Sequence, residues 1–267
     1  MEGMRFIMIE LSASDLDGTI IDYDNQVTND NLTVINKLNS TSINFAICTG
    51  KTYSMTKNIC NELHPTYGIF GNGTQIINLK TGEEIKRNII TNKQTLECLE
   101  IIENEDLNVH IYTENKIIAQ KELKYIGFRN YILYKNQIKF EIVQSLKEYI
   151  EQNNPNILKL VISGNTDLGK IKKQIENKEK LSAIQIKKYD KYKDETINEE
   201  YEYLDIVPKN VTKYTALKQL SDYLKVTNDE ILAVGDNVND IEMIKNAGIG
   251  VAIGGCYDEV KEIASYV

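Results

Sequence analysis

Tryptophan is absent from these 267 residues, histidine occurs twice and cysteine four times. The lack of tryptophan, beside abundant Asn, Ile and Lys, reads as compositional bias and carries no function. Cys48, Cys60, Cys98 and Cys256 show neither metal-ligand spacing nor a dense disulfide framework, which fits reduced thiols. His64 and His110 are isolated, with no triad partners nearby in sequence, and read as structural. An uninterrupted basic block is also missing. With 31 Lys and Arg against 39 Asp and Glu, the net charge of −8 argues against nucleic acid and anionic membranes as partners. The lysine-rich stretches "KIKKQIENKEK" and "KKYDKYKD" are broken by acids and read as solvated faces. No run approaches the roughly 18 apolar residues that cross a bilayer. The N-terminus lacks the basic, apolar and small-residue order of a signal peptide. The expectation is a soluble cytoplasmic protein.

What is present is an ordinary globular balance, 42% hydrophobic and 26% charged, long enough for one large or two modest domains. Strand-like and helix-like segments alternate from the start. "FIMIEL" reads as a strand. "TNDNLTVINKL" reads as a helix capped by Asn29 or Asp30, with Leu32, Ile35 and Leu38 on one face. "INFAIC" is a strand ending at Thr49-Gly50, "SMTKNICNEL" a helix, and "YGIFGNG" a strand running into a glycine turn. This order implies a parallel sheet covered by helices.

From about Gly82 the texture turns to short hairpins, "TQIINL" with "EIKRNII" and "NVHIYT" with "KIIAQ". Two helix–strand pairs follow, "FEIVQSLKEYI" with "ILKLVIS" and "TDLGKIKKQI" with "SAIQIKK", and then the strand "EYEYLDIVP". After Pro208 the first texture returns: the helix "VTKYTALKQLSDYL", the strand "ILAVGD", the short helix "NDIEMIKNA", the strand "GIGVAIGG" and the helix "DEVKEIASY". The reading is an α/β protein with a Rossmann-like core, residues 1–82 and 209–267, split by an α+β domain at 83–208. An insertion of that length exceeds any loop of a compact domain.

Ligands of open parallel sheets bind beyond the carboxyl ends of the strands. Polar residues stand at four such ends: Asp15 and Asp17, Thr49 and Gly50, Asn72 and Gly73, and Asp236, Asn239 and Asp240. Lys213 begins a helix between the last two. Oxygen ligands gathered at one rim call for a hard cation, with Mg²⁺ the best fit. An EF-hand is excluded, because from Asp15 the glycine falls fourth and position twelve is Gln26. "GIGVAIGG" has the wrong spacing and place for a dinucleotide turn. Cys48 lies within an apolar strand and reads as a core thiol. Asp22 and Asp24 read as polar residues of a solvent-facing loop.

Taken together, "DLDGT", "ICTG", Lys213 in "VTKYTAL" and "GDNVND" resemble, in this order, the four motifs of the haloacid dehalogenase superfamily. "GNGTQI" and "GVAIG" look like further signatures of it. The long insertion between the second and third motifs is similar to the Cof-type, class IIB branch, whose α+β cap covers the active site. The resemblance implies a phosphatase for small phosphorylated metabolites. Asp15 would be the nucleophile that forms an aspartyl phosphate, and Asp17 the acid and base. Mg²⁺ would be held by Asp15, the Asp17 carbonyl and Asp236. Thr49 and Lys213 would hold phosphoryl oxygens, and Asp240 and Asn239 would orient Lys213 or the ion's waters. Gly50, Lys51, Asn72 and Gly73 would lie near the substrate. Extended backbone would point Asp15 and Asp17 the same way, and crowding by like charges would push the Asp17 pKa upward.

Three positions depart from the family pattern: Lys51 stands where Arg is usual, Tyr214 where Gly is usual, and Gly255 where Asn is common. Lysine keeps the charge but loses the bidentate fork of arginine. Two rivals to a phosphatase remain at this stage, a phosphomutase using the same aspartyl phosphate and a non-catalytic metabolite-binding regulator. The expected partner is a small phosphorylated metabolite, and the expected state a monomer or weak homodimer.

Overall fold

In a computed structural model, residues 8–22, 26–121, 138–164, 166–178, 180–191 and 198–267 are described, with backbone only at 187–191 and 198–201. The chain divides into two compact units. One comprises residues 1–50, 58–86 and 212–267, the other 51–57 and 87–211. Among the described residues no helix is long and apolar enough to cross a membrane.

The first unit is built on a seven-stranded sheet. Its strands are β1 (Leu11–Ser14), β2 (Asn44–Cys48), β3 (Tyr67–Phe70), β4 (Gln75–Asn78), β5 (Glu84–Arg87), β12 (Ile231–Gly235) and β13 (Ile249–Ala252). The order across the sheet is β13-β12-β1-β2-β3-β4-β5. The pairs from β13 to β3 are parallel and β4 joins β3 antiparallel. Helices α1 (Asn29–Asn39), α2 (Tyr53–Leu63), α6 (Lys213–Leu224), α7 (Ile241–Asn246) and α8 (Asp258–Ile263) connect these strands. Leu217 and Leu220 of α6 and Met243 and Ile244 of α7 meet Leu11, Ala46, Ile69 and Ala233 in one buried cluster. Each of these Leu, Ile and Met side chains contributes about 1.5–3 kcal/mol by leaving water.

Three expectations shift here. The first strand is "LSAS", not "FIMIEL". Phe6 and Ile7 lie outside the described residues, and Met8 to Glu10 precede the strand. All four of its residues are buried, Ser12 and Ser14 included, whereas a parallel strand covered on both faces is more often a continuous apolar run. The cap of α1 is Thr28, whose hydroxyl accepts the Asn31 N–H at 3.2 Å, because Asn29 and Asp30 are already helical. The hairpin at 75–87 adds strands to the first sheet, so the change of unit comes at Lys86/Arg87 rather than at Gly82.

The second unit carries its own sheet, order β10-β11-β9-β6-β7-β8. Its strands are β6 (Leu107–Tyr112), β7 (Lys116–Ala119), β8 (Lys139–Ile142), β9 (Lys159–Gly164), β10 (Leu181–Lys191) and β11 (Asn198–Pro208). All neighbours run antiparallel except β7 and β8. Alternate residues Ile111, Ile118, Leu160, Ile162, Leu204 and Ile206 face three helices, α3 (Asn92–Ile101), α4 (Leu146–Asn153) and α5 (Leu168–Asn177). The start of "FEIVQSLKEYI" is therefore strand, since Phe140 to Ile142 pair with β7; the helix begins only after Ser145, whose hydroxyl accepts the Glu148 N–H.

Candidate active site

Because β1 and β12 are parallel neighbours, their carboxyl ends lie side by side, and the residues after them meet. The Asp15 N–H donates to the Val234 carbonyl at 3.0 Å, extending the ladder by one residue. The chain then turns. The Leu16 carbonyl accepts the N–H groups of Thr19, Ile20 and Ile21 at 3.2, 3.0 and 2.9 Å. Asp17 thus lies beyond the end of β1, in an isolated bridge to Ile21 at the start of this turn, and not on the extended strand that its spacing from Asp15 predicts. Within this turn Gly18 takes a left-handed φ of +83°. A Cβ on Gly18 would stand 2.5 Å from Asp236 Oδ2, so glycine is what lets this turn close on Asp236. The Thr19 hydroxyl donates to Asp236 Oδ1 at 3.3 Å.

Lys213 is the first residue of α6. Thr212 caps that helix in a reciprocal box with Thr215. A cation at a helix N-terminus opposes the macrodipole, so the helix itself gives no reason for lysine there. The carboxylates do. Lys213 Nζ donates to Asp15 Oδ1 and to Asp240 Oδ1, both at 2.6 Å, and the lysine is 1% exposed. Asp240 is fully buried, and its other oxygen accepts the N–H groups of Asp236 and Asn237 at 3.2 and 3.1 Å.

Charge explains the protonation states. For Lys213 burial is the largest effect and by itself lowers the pKa. Asp15 and Asp240 together outweigh it and hold the amine protonated, above its ordinary value. For Asp15 burial is again the largest effect, and it raises the pKa above its ordinary value. Lys213 pulls the other way, while Asp240, Asp236 and Asp17 push up further. Four carboxyl groups, Asp15, Asp17, Asp236 and Asp240, crowd the Lys213 ammonium, a situation that a hard cation relieves. Carboxylate oxygens of Asp15, Asp236 and Asp240 lie within 4.8 Å of one another. Both oxygens of Asp240 are committed to protein donors, so Asp15 and Asp236 are the carboxylates that suit an ion.

Thr49 follows β2 and is fully buried, and its N–H donates to the Ile69 carbonyl at 2.8 Å. Asn72 and Gly73 belong to a turn after β3, and Asn239 Nδ2 donates to Asn72 Oδ1 at 2.9 Å. Asn239 thus pairs with Asn72 rather than with Lys213. Lys51 falls in the 51–57 segment that groups with the second unit. Asp22 is exposed and accepts the Gln26 N–H at 2.9 Å; Asp24 lies outside the described residues. Burial pushes the Cys48 thiol up to about 12, consistent with a core thiol. Thr19 and Thr212 have contacts at this rim that sequence reasoning left unassigned. The signal was there in both: Thr19 closes "DLDGT", and Thr212 precedes a helix with a hydroxyl three residues on.

A profile of haloacid dehalogenase-like hydrolases matches residues 12–267. The chain belongs to this family. Within it the chain falls in the Cof-type, class IIB branch, and its mixed core sheet with a separate second sheet is the architecture of that branch. Phosphatase YwpJ of Bacillus subtilis is 26% identical over 285 residues, covering 97% of this chain and 94% of that protein. The 5-amino-6-(5-phospho-D-ribitylamino)uracil phosphatase YcsE of the same organism is 23% identical, covering 97% and 89%. The subclass IIB sugar phosphatase BT4131 shares the fold with a TM-score of 0.74 at 16% identity, over 97% of this chain and 92% of that one.

Proposed function

We propose that this haloacid dehalogenase phosphatase hydrolyses small phosphate monoesters, such as sugar phosphates, through an aspartyl phosphate on Asp15, with Mg²⁺ as its ion. The observation that carries the reading is the buried Lys213 ammonium between Asp15 and Asp240, with Asp236 alongside. Such a site is built for an incoming dianion. It holds one fixed cation, a place for a second, and a carboxylate against both.

In this reading an Asp15 oxygen attacks phosphorus, and the bond to the leaving oxygen breaks as Asp17 supplies a proton to it. Asp17, now a carboxylate, takes a proton from water, which attacks the aspartyl phosphate and frees Asp15 and inorganic phosphate. Lys213 and Thr49 donate to phosphoryl oxygens throughout, and Asp240 keeps Lys213 oriented. Gly50, Lys51, Asn72, Gly73 and Asn239 support the phosphate's surroundings. Asp15, Asp236 and the Asp17 carbonyl would hold the ion. When bound, Mg²⁺ offsets the repulsion between the Asp15 carboxylate and the phosphate dianion. The second unit, inserted in chain order between Gly50 and Lys213, would act as the cap that selects substrate. Relatives named for a phosphoribityl-uracil and for sugar phosphates support a small-metabolite range. None of the four cysteines forms a disulfide, which fits a reducing, cytoplasmic location.

The test is phosphate release from an aryl phosphate, followed by a panel of phosphorylated metabolites. Release should require Mg²⁺, stop with EDTA, return on adding the metal, and fall to background in Asp15→Asn. A folded, metal-loaded wild type no faster than Asp15→Asn would sink the proposal. Isomerised product with little free phosphate would replace it with a phosphomutase.

A further inference from the structure

Three consecutive residues after β3 have left-handed backbone: Gly71, Asn72 and Gly73, with φ of +59°, +57° and +107°. Glycine adopts such angles freely, and Asn is the side chain that tolerates them best. Even so, a buried polar residue in this region costs free energy unless its groups are paired, and Asn72 is only 1% exposed. The pairing explains its presence. Its N–H donates to the Thr49 carbonyl at 3.0 Å, and its Oδ1 accepts Asn239 Nδ2 at 2.9 Å. Gly50 lies against the same carboxamide. The next residue, Gly73, abuts the start of α6: a Cβ there would stand 2.5 Å from the Thr212 carbonyl oxygen and 3.1 Å from Ala216 Cβ. One short turn therefore touches three segments far apart in the chain, and each carries a group of the reaction: Thr49, Lys213 and Asn239.

We propose that the Gly71–Asn72–Gly73 turn is a positioning device that holds these three segments in register, with Asn72 as a positioning residue for phosphoryl transfer. This rests on the phosphatase reading above. A turn needed only to reverse the chain would be served by exposed residues. This one is buried, spends a left-handed non-glycine residue, and spans the site through a backbone bond, a side-chain bond and a close backbone approach. It acts only through the residues it holds. Thr49 is tied through its carbonyl, Asn239 through its carboxamide, and Lys213 through the Thr212 cap that precedes it.

Two variants separate the ties. Asn72→Gly keeps the left-handed backbone and its N–H and removes the carboxamide, and with it the acceptor for Asn239. Gly73→Ala forces the turn and α6 apart by about half an ångström or more, and a misplacement near 1 Å can cost about 100-fold in rate. In Asn72→Gly, kcat on an aryl phosphate should fall about tenfold or more. KM and half-saturating Mg²⁺ should stay close to wild type. The loss should not add to that of Asn239→Ala, so the double variant should be no slower than the slower single. In a crystal structure of Gly73→Ala, the distance from Lys213 Nζ to Asp15 Oδ1 should open beyond the present 2.6 Å. Unchanged kcat in Asn72→Gly, additive losses, or an unmoved Lys213 in Gly73→Ala would each overturn the proposal. A lower melting temperature with full activity of the folded protein would reduce the turn to a structural part. If the wild type releases no phosphate, the phosphatase reading fails, and the positions of Asn239 and Lys213 in the two variant structures still decide whether the turn places them.

Discussion

Acid should weaken the second unit through one side chain, His110. It lies on β6 at 1% exposure, across the register from Val161 and Ala119. Its ring meets Phe140 edge-on with centroids 5.5 Å apart. Among the described residues neither ring nitrogen has a hydrogen-bond partner. Burial is the cause of its lowered pKa, from 6.5 to about 4, since a charged imidazolium has nothing to solvate it there. A histidine whose folded pKa lies below its unfolded one binds fewer protons when folded. Its stability contribution is complete above pH 6.5 and is lost as the pH falls toward about 4. At about 1.36 kcal/mol per pKa unit, the full loss is about 3 kcal/mol, of which about 2 is gone by pH 5. The assay is denaturant unfolding between pH 8 and pH 4 in wild type and His110→Leu. Leucine removes both orphan nitrogens and the titration together, so the variant should match or exceed wild type at pH 8 and lose less stability in acid. The difference between the two isolates His110 from every other titrating group. Identical pH dependence in the two proteins would refute the reasoning.

Two further outcomes test buried charge. Lys159 donates to both oxygens of Asp205 at 2.9 Å, with the side chains 6% and 2% exposed. Lys159→Met should cost about 3–5 kcal/mol in denaturant unfolding, and Lys159→Met/Asp205→Leu should recover most of it, because the cost is the carboxylate left without its partner. Lys213→Met should abolish phosphate release and lower the metal-free melting temperature, since Asp15 and Asp240 lose the ammonium between them. Added Mg²⁺ should restore part of that stability, and melting curves with and without the ion check it.

How far the sequence could be read depended on what each element buries. Helices with one apolar stripe, such as α6 with Leu217 and Leu220, were legible from spacing. The central strand was not, because two of the four residues of "LSAS" are serines, and a strand covered on both faces more often reads as a continuous apolar run. A better clue was the motif itself: Asp15 must follow the strand that presents it, so the strand had to end at Ser14. Helix α3 was overlooked although Thr91 and Gln94 form a capping box ahead of buried Cys98. The hairpin at 75–87 looked like the start of the insertion, yet the sheet that it joins is the first one, and sheet membership is not a local property.

By itself the sequence determined the chemistry on offer: acids, a threonine, an asparagine and a lysine, each beside a strand end or helix start in a set order. Local pattern suffices for that, because strand ends and caps are decided by neighbours in the chain. Which groups touch was decided only by the tertiary structure. Lys213 meets Asp15 across 198 residues of chain and Asn72 meets Asn239 across 167. Those pairings follow from β12 lying beside β1 and from the turn after β3 reaching the start of α6, and strand order has no local signature. The turn of Asp17 out of the strand was likewise a tertiary decision, made where Gly18 lets the chain close against Asp236.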